Sequence, residues 1–531
     1  MESKPRQHTK VTSPETLIVG LLMAALSAII CMQIISRIGI TPNTSIIGAI
    51  VAMAIARIPT VYMRKFRSLE RQNLIQTMAS AGGFSAANLG LLAVGVIFLI
   101  GRTDLLYPML IGALVAGVID VILVYKIYDS DLYPAYNAWP PGIAAAEAII
   151  AGDEGGHRAK RLVQGVAAGA IGTHFGLPMA GIGIVFIANI FAMASLGVGL
   201  IIRGYSAEIF GVNIGGTYIP HGFMIGAGIV ALVQAIIIIV KGRQENLKKQ
   251  KEREESGTEE EYEGKPTVTP EQVKKSLIEH LGLFLLGAAF LAVISTLWVE
   301  ATVGMVILWI FWAGISAVIS TLLVGLAAMH SGWFPGFAVT VIFLSLGIFM
   351  GIPPVPLALL TGFVACTGPV FADMGYDFKA GWMLRGRGKD VQYELDGRKQ
   401  QLFAELLGML TAMVIVGIFM WMHFELDELP PISYVFADTV FAGAAPEMAR
   451  QMALWAIPGM ILQAVGGVRR AMGILFATGL LINNPIYGIG IIVAVIVRMI
   501  IGTEPMKVRE AGLIAGDGLY GFISAVIRTF V

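Results

Sequence analysis

The feature that most constrains this chain is its succession of long apolar runs, each almost free of charge. Hydrocarbon offers the backbone no water, so a segment crossing it must satisfy its own N–H and C=O groups, which a continuous apolar run does as an α-helix. Apolar residues here run on rather than alternate, and this excludes a transmembrane β-barrel. Only 14% of the 531 residues are charged, where a water-soluble domain carries about a quarter. The chain is therefore an all-α, polytopic membrane protein. At about 20 residues per crossing, its length bounds the count at roughly 12–16 transmembrane helices. A net charge of +1 gives no reason to expect a nucleic-acid partner.

Charge gathers in one place. Between Lys241 and Lys275 lie 18 of the 73 charged residues, with Tyr262 as the one aromatic, the composition of a solvated linker. The expected organisation is a tail (1–16), a first transmembrane half (17–241), the linker (242–276) and a second half (277–531). The similar lengths of the halves fit a duplication, although no internal repeat is legible in the residues. The run Leu17 to Ile35 is too long for a signal-peptide core and lacks a cleavage pattern, so it reads as a retained first span. Basic segments at Arg64 to Arg67, His157 to Arg161, the linker, and Lys379 to Lys399 are expected as cytoplasmic loops, with the amino terminus on the same side. The protein is expected as a multi-pass protein of the cell membrane.

Clear spans are expected near 17–36, 44–62, 84–101, 105–125, 179–202, 222–240, 277–298, 303–328, 337–351, 402–422, 453–467, 471–482 and 486–503. The segments 139–151, 162–177, 204–220, 352–372, 431–449 and 510–531 are apolar but too short or glycine-rich to count by hydropathy. A broken helix at membrane depth persists where it is buried in protein or lines a watery cavity, so breaks mark a pathway. The clearest are Asn137-Ala138-Trp139-Pro140-Pro141-Gly142, Gly351 to Pro356, and Asn483-Asn484-Pro485. Pairs such as Gly165 and Gly169, Gly211 and Gly215, Gly222 and Gly226, Gly332 and Gly336, Gly347 and Gly351, and Gly512 and Gly516 have the one-turn spacing that lets helices approach closely.

Charged groups inside the bilayer are costly and face a cavity or a partner. By that rule Asp120, Glu147, Glu300, His330 and Asp517 stand out. Glu147 follows the Pro140-Pro141-Gly142 break, where a carboxyl serves either as proton acceptor and amine partner or as half of an ion pair in the bundle. Asp153 and Glu154 are expected on the aqueous side. Both Gly-Lys pairs lack the Ser or Thr of a phosphate-binding loop, none of the seven His residues precedes Glu, and no Gly-x-Ser-x-Gly elbow occurs. Neither Cys31 nor Cys366 lies in a metal-type cluster. No enzyme, metal site or cofactor is expected; a transporter, a channel or a structural membrane protein remains.

Trp139 to Glu147, continued by Ala151-Gly152-Asp153-Glu154-Gly155-Gly156, resembles the signature of the oligopeptide transporter (OPT) superfamily. Gln76-Thr77-Met78-Ala79-Ser80-Ala81-Gly82-Gly83 is similar to an early segment of that family. Tyr376-Asp377-Phe378-Lys379-Ala380-Gly381 resembles its Asp-Phe-Lys-Thr-Gly loop, Arg398-Lys399-Gln400-Gln401 the start of its next helix, and Ala511 to Leu519 its carboxy-terminal Gly-Leu-Ile-Ala-Gly segment. The matches fall in order along nearly the whole chain. An Asn-Pro-Gly motif of the peptide-transporting branch is missing, and Arg385 to Gly397 replaces a shorter turn, so the resemblance leans to the prokaryotic and yellow-stripe-like side.

The resemblance implies a proton-coupled secondary transporter of oligopeptides, with a metal-chelate symporter as the rival within the family and a channel or sensory protein as rivals outside it. Small-molecule substrate, protons and lipid would be its partners. On this reading the two halves move against each other around a central site. Trp139, beside Pro140, Pro141 and Gly142, stacks on substrate; Glu147 takes the proton; Gln76, Asn88, Asn213, Asn483 and Asn484 supply neutral hydrogen bonds, with Asp517 a further candidate. Asp373, Asp377 and Lys379, with Asp153 and Glu154, would serve the gate.

Overall fold

The computed structural model describes residues 8–38, 66–154, 156–231, 266–332, 334–442 and 446–530, together with Val233, Gln234 and Ile237. The span expected at 44–62 and most of the 242–276 linker lie outside the described residues. Among the described residues every regular element is helical. In chain order these are α1 (Pro14–Ile38), α2 (Leu69–Ser85), α3 (Leu92–Leu99), α4 (Leu106–Ile127), α5 (Pro140–Glu154), α6 (Gly156–His174), α7 (Met179–Ile187), α8 (Ile190–Phe210) and α9 (Ile219–Ala231). Beyond the linker come α10 (Pro270–Ile294), α11 (Val303–Ser331), α12 (Gly336–Phe349), α13 (Pro354–Cys366), α14 (Pro369–Leu384) and α15 (Val391–Glu425). The last are α16 (Pro431–Ala442), α17 (Pro446–Arg470), α18 (Met472–Leu481), α19 (Pro485–Ile501) and α20 (Arg509–Phe530). Eight described spans are long and apolar enough to cross a membrane, and shorter apolar helices accompany them. This is an all-α, multi-pass membrane protein.

Local sequence starts these helices in ordinary ways. Thr269 and Gln272 form a reciprocal cap at α10, with Pro270 in the first turn where no N–H is missed. Asn484 caps α19 by accepting from the Tyr487 N–H, and Asp390 caps α15 by accepting from Tyr393 N–H. A π turn at Ala86–Leu91 joins α2 to α3, so Leu69–Leu99 is one buried span.

Several expected boundaries change. The span expected at 84–101 begins fifteen residues earlier, at Leu69: its polar first half, Gln72 to Ser85, is wholly buried against other helices rather than looped in water. The span expected at 179–202 is two helices. Asn189 caps α8 by accepting from Phe191 and Ala192 N–H, while the Arg498 guanidinium donates to the freed carbonyls of Val185 and Ala188 at the end of α7. The segment 352–372 is a central element, since α13 and α14 together make the 31-residue span Pro354–Leu384, 94% of whose most apolar window is buried. The basic loop expected from Lys379 to Lys399 is instead the end of α14, a short turn and the start of α15. Part of its charge pairs inside the protein, where hydropathy cannot see it: Arg385 holds Glu394 in a two-pronged contact at 2.8 and 2.9 Å, both side chains buried.

The helices sort into two bundles. The larger packs α1 along α2 and α15, α14 along α2 and α11, and α10 along α4 and α11, with α3, α12, α13 and α16 around them. In the smaller, α20 lies along α6 and α7, α8 along α18 and α19, and α17 along α18. Each half of the sequence supplies its earlier helices to the larger bundle and its later ones to the smaller. The two halves of the sequence are thus interleaved between the bundles. Helix α5 bridges the bundles, packing on α14 and α2 on one side and on α20, α6 and α7 on the other.

Glycine sets the tightest contacts. A Cβ on Gly165 or Gly169 of α6 would strike the backbone of α20 at Arg509 and Leu513, and one on Gly512 or Gly516 would strike that of α6. Gly222 and Gly226 press likewise on Met452 and Ala456 of α17. In each of the other pairs one member serves a turn: Gly211, Gly332 and Gly351 follow the ends of helices with φ of 69°, 72° and 75°.

Candidate functional site

Three interrupted elements meet beside α14. Trp139 opens α5 with φ of 40°, and its N–H donates to the Met329 carbonyl near the end of α11 at 2.9 Å. Gly332 closes α11 against Pro140 and Pro141. Gly368, at φ of 75°, restarts the chain into α14. The approach of α5 to α14 needs glycine on both sides: a Cβ on Gly142 would strike the Tyr376 carbonyl, and one on Gly375 the Trp139 ring. At the α13–α14 break the amino end of α14 is held by a side chain. Asp120 of α4, fully buried, accepts from Gly368 N–H at 2.9 Å, Phe371 N–H at 3.0 Å and the Thr321 hydroxyl at 2.6 Å. A carboxylate at a helix amino end meets unpaired donors and the positive end of the dipole.

One turn and two turns into α14 stand Asp373 and Asp377, and Glu405 of α15 faces them closely enough for all three to act on one another electrostatically. All three are buried. Ser80 of α2 donates to Asp373 Oδ1 at 2.8 Å, and the Gln76 amide donates to Asp377 Oδ1 at 2.5 Å. Asn73 donates to Gln76 Oε1 at 2.9 Å and so turns its NH2 toward Asp377. Asp373 Oδ2, Glu405 Oε2 and the Tyr376 hydroxyl are buried and have no hydrogen-bond partner among the described residues. A carboxyl is retained in such surroundings at a cost, which makes the cluster the candidate site. Among the described residues no group of three His, Cys, Asp or Glu side chains has the geometry to hold a metal ion.

The expected site residues divide. Gln76, Asp373 and Asp377 come together, and Asn88 lies on the same span in the π turn, donating to Phe84 O. Asp373, Asp377 and Lys379 lie in a buried helix rather than a solvent-facing loop; the Lys379 ammonium donates to Ala135 O at 2.7 Å and sits over the Trp382 ring. Trp139 is fully enclosed, its indole N–H donating to Pro134 O and its ring among Tyr128, Tyr133 and Tyr376, so it packs on protein where stacking on substrate was expected. Glu147 takes the alternative left open for it, an ion pair with Arg158, which also pairs with exposed Glu154 one turn before it. Asp153 is exposed.

Asn213, Asn483 and Asn484 are exposed and apart from the cluster; Asn213 caps a short 3-10 turn and meets Arg203, and Asn484 caps α19. Asp517 lies between α20 and α6, accepting from the Thr173 hydroxyl. Glu300 pairs with Arg102 at 2.6 Å, as a residue at the end of a span can. The sequence reading missed Glu405, which stands in an apolar run as Asp120 does and was open to the same argument.

The family model described as OPT oligopeptide transporter protein matches residues 12–240 and 215–528. No curated protein matches the chain.

Proposed function

Since the chain belongs to the OPT oligopeptide transporter family, we propose that it takes up oligopeptides across the cell membrane together with protons, and that Asp373, Asp377 and Glu405 are the proton-exchanging groups. The observation that carries this is a set of three buried carboxyls on two packed helices, two of them with an oxygen that has no hydrogen-bond partner among the described residues. Such groups take up a proton from one side and release it to the other when the surrounding helices rearrange. The rearrangement is a rocking of the smaller bundle against the larger across α5, whose Trp139-Pro140-Pro141-Gly142 start rests on the helix that carries Asp373 and Asp377. The amino terminus and the 242–276 linker face the cytoplasm, as their basic residues favour.

Purified protein in liposomes that enclose a pH dye tests this. An inward acid gradient should drive uptake of labelled small peptides, and adding peptide should acidify the lumen saturably. Acidification with iron chelates and not with peptides would replace the cargo. Flux that neither saturates nor accumulates would make the protein a pore.

A further inference from the structure

Resting on the transport reading above, we propose that Arg385, Glu394 and Gln401 form a buried latch that positions Asp377, making Gln401 and Arg385 positioning residues for proton coupling. The latch spans α14 and α15. Arg385, at the end of α14, gives Nε and Nη2 to the two oxygens of Glu394, which leaves Nη1 to donate to Gln401 Oε1 at 2.8 Å. Since a guanidinium only donates, the amide of Gln401 has one orientation. Its NH2 therefore points the other way, donating to the Asp377 carbonyl at 2.6 Å and to Thr77 Oγ1 of α2 at 3.3 Å. One side chain thus ties together the three helices that build the carboxyl cluster, at the residue that carries one of its carboxyls.

Room for the latch is built into the sequence. A Cβ on Gly381 would collide with Gln401 Oε1 and Arg385 Nη1, and one on Gly397 with the Arg385 side chain. Two glycines on different helices are shaped around the same guanidinium. Both are internal helical positions, where glycine is otherwise unfavourable. Arg398 adds a second cation to Glu394 at 3.4 Å and reaches Asp129 and Thr267, so the carboxylate is held from both sides.

The test compares Gln401→Met, Arg385→Lys and Gly381→Ala with the parent in liposomes, reading initial uptake of labelled dialanine against external pH. Gln401→Met keeps the length and loses both polar ends; Arg385→Lys keeps the charge and loses the fork; Gly381→Ala removes no group and only displaces the latch. Each should move the pH of half-maximal uptake by about half a unit or more, the size of a lost hydrogen bond read as proton affinity. At saturating acidity each should regain most of the parent's maximal rate. Half-maximal pH values matching the parent's, with only the melting temperature lowered, would reduce the latch to a structural brace and overturn the proposal. Asp377→Asn, measured alongside, separates the two readings: if its uptake follows pH as the parent's does, Asp377 leaves the proton path and the latch has no carboxyl to position, whereas the Asp373 and Glu405 part of the transport reading is untouched.

Discussion

Glu147 and Glu405 show what a single residue's surroundings decide. Both are carboxyls in short apolar stretches, and only Glu147 follows a visible Pro-Pro-Gly break, so the sequence draws attention to it. In the structure Glu147 has a cation, Arg158, whose side chain is 37% exposed. Glu405 has no such partner among the described residues and is 1% exposed. The pair at Glu147 is therefore a partly solvated ion pair of modest value. Glu147→Gln should leave the pH dependence of uptake unchanged and lower stability by about 1 kcal/mol or less, read by thermal unfolding. A flattened pH response in that variant would return Glu147 to the proton path. Gln76, Asp377 and Lys379 were legible because they stand in motifs; Glu405, alone in a run of apolar residues, had only its charge to betray it.

At the scale of elements, hydropathy found the lipid-facing spans and the Pro-rich breaks, and missed helices whose polar faces meet other helices. The first half of the Leu69–Leu99 span went unassigned and the first turns of α15 read as a loop because hydropathy measures preference for lipid and is blind to polar groups satisfied within the protein. The break at Ala188 and Asn189 was equally hidden, since no proline marks it and the residue that makes it tolerable, Arg498, lies three hundred positions away. Segments 162–177 and 510–531 were undecided one at a time. Together they are α6 and α20, joined through four glycines.

The amino-terminal segment makes a testable element of its own. His8 N–H donates to Asp396, Thr9 donates twice to Glu70, and Val11 N–H donates to Gln400 Oε1 at 3.0 Å. The His8 ring is enclosed by Tyr393 and Gly397, and its charged neighbours are Arg385, Glu70 and Asp396. Burial, aided by Arg385, holds its pKa below the usual 6.5. A lowered histidine pKa favours the neutral ring in the docked state, so docking is fully supported above pH 6.5 and weakens as pH falls below it. The protection of residues 8–13 against hydrogen exchange, taken relative to the intrinsic amide rate at each pH, should therefore fall on acidification, and His8→Gln should remove that dependence. Protection factors equal on both sides of this range would show that the ring does not titrate with docking.

Across the whole molecule, the order of the chain is larger bundle, smaller bundle, larger bundle, smaller bundle, with α5 between them. The near-equal halves were visible in the sequence, and their interleaving was not, because it depends on contacts between residues hundreds apart. This arrangement gives the transport reading its moving parts: two bundles, each built from both halves, and a bridging helix seated on the one that bears the acidic pair.

The most direct measurement is peptide-driven proton entry into liposomes, comparing the parent with the Asp373→Asn/Glu405→Gln double variant at equal, verified insertion. Loss of proton entry in the double variant, with the parent acidifying saturably, is the result the account requires. Proton entry at the parent's rate without those two carboxyls would contradict it.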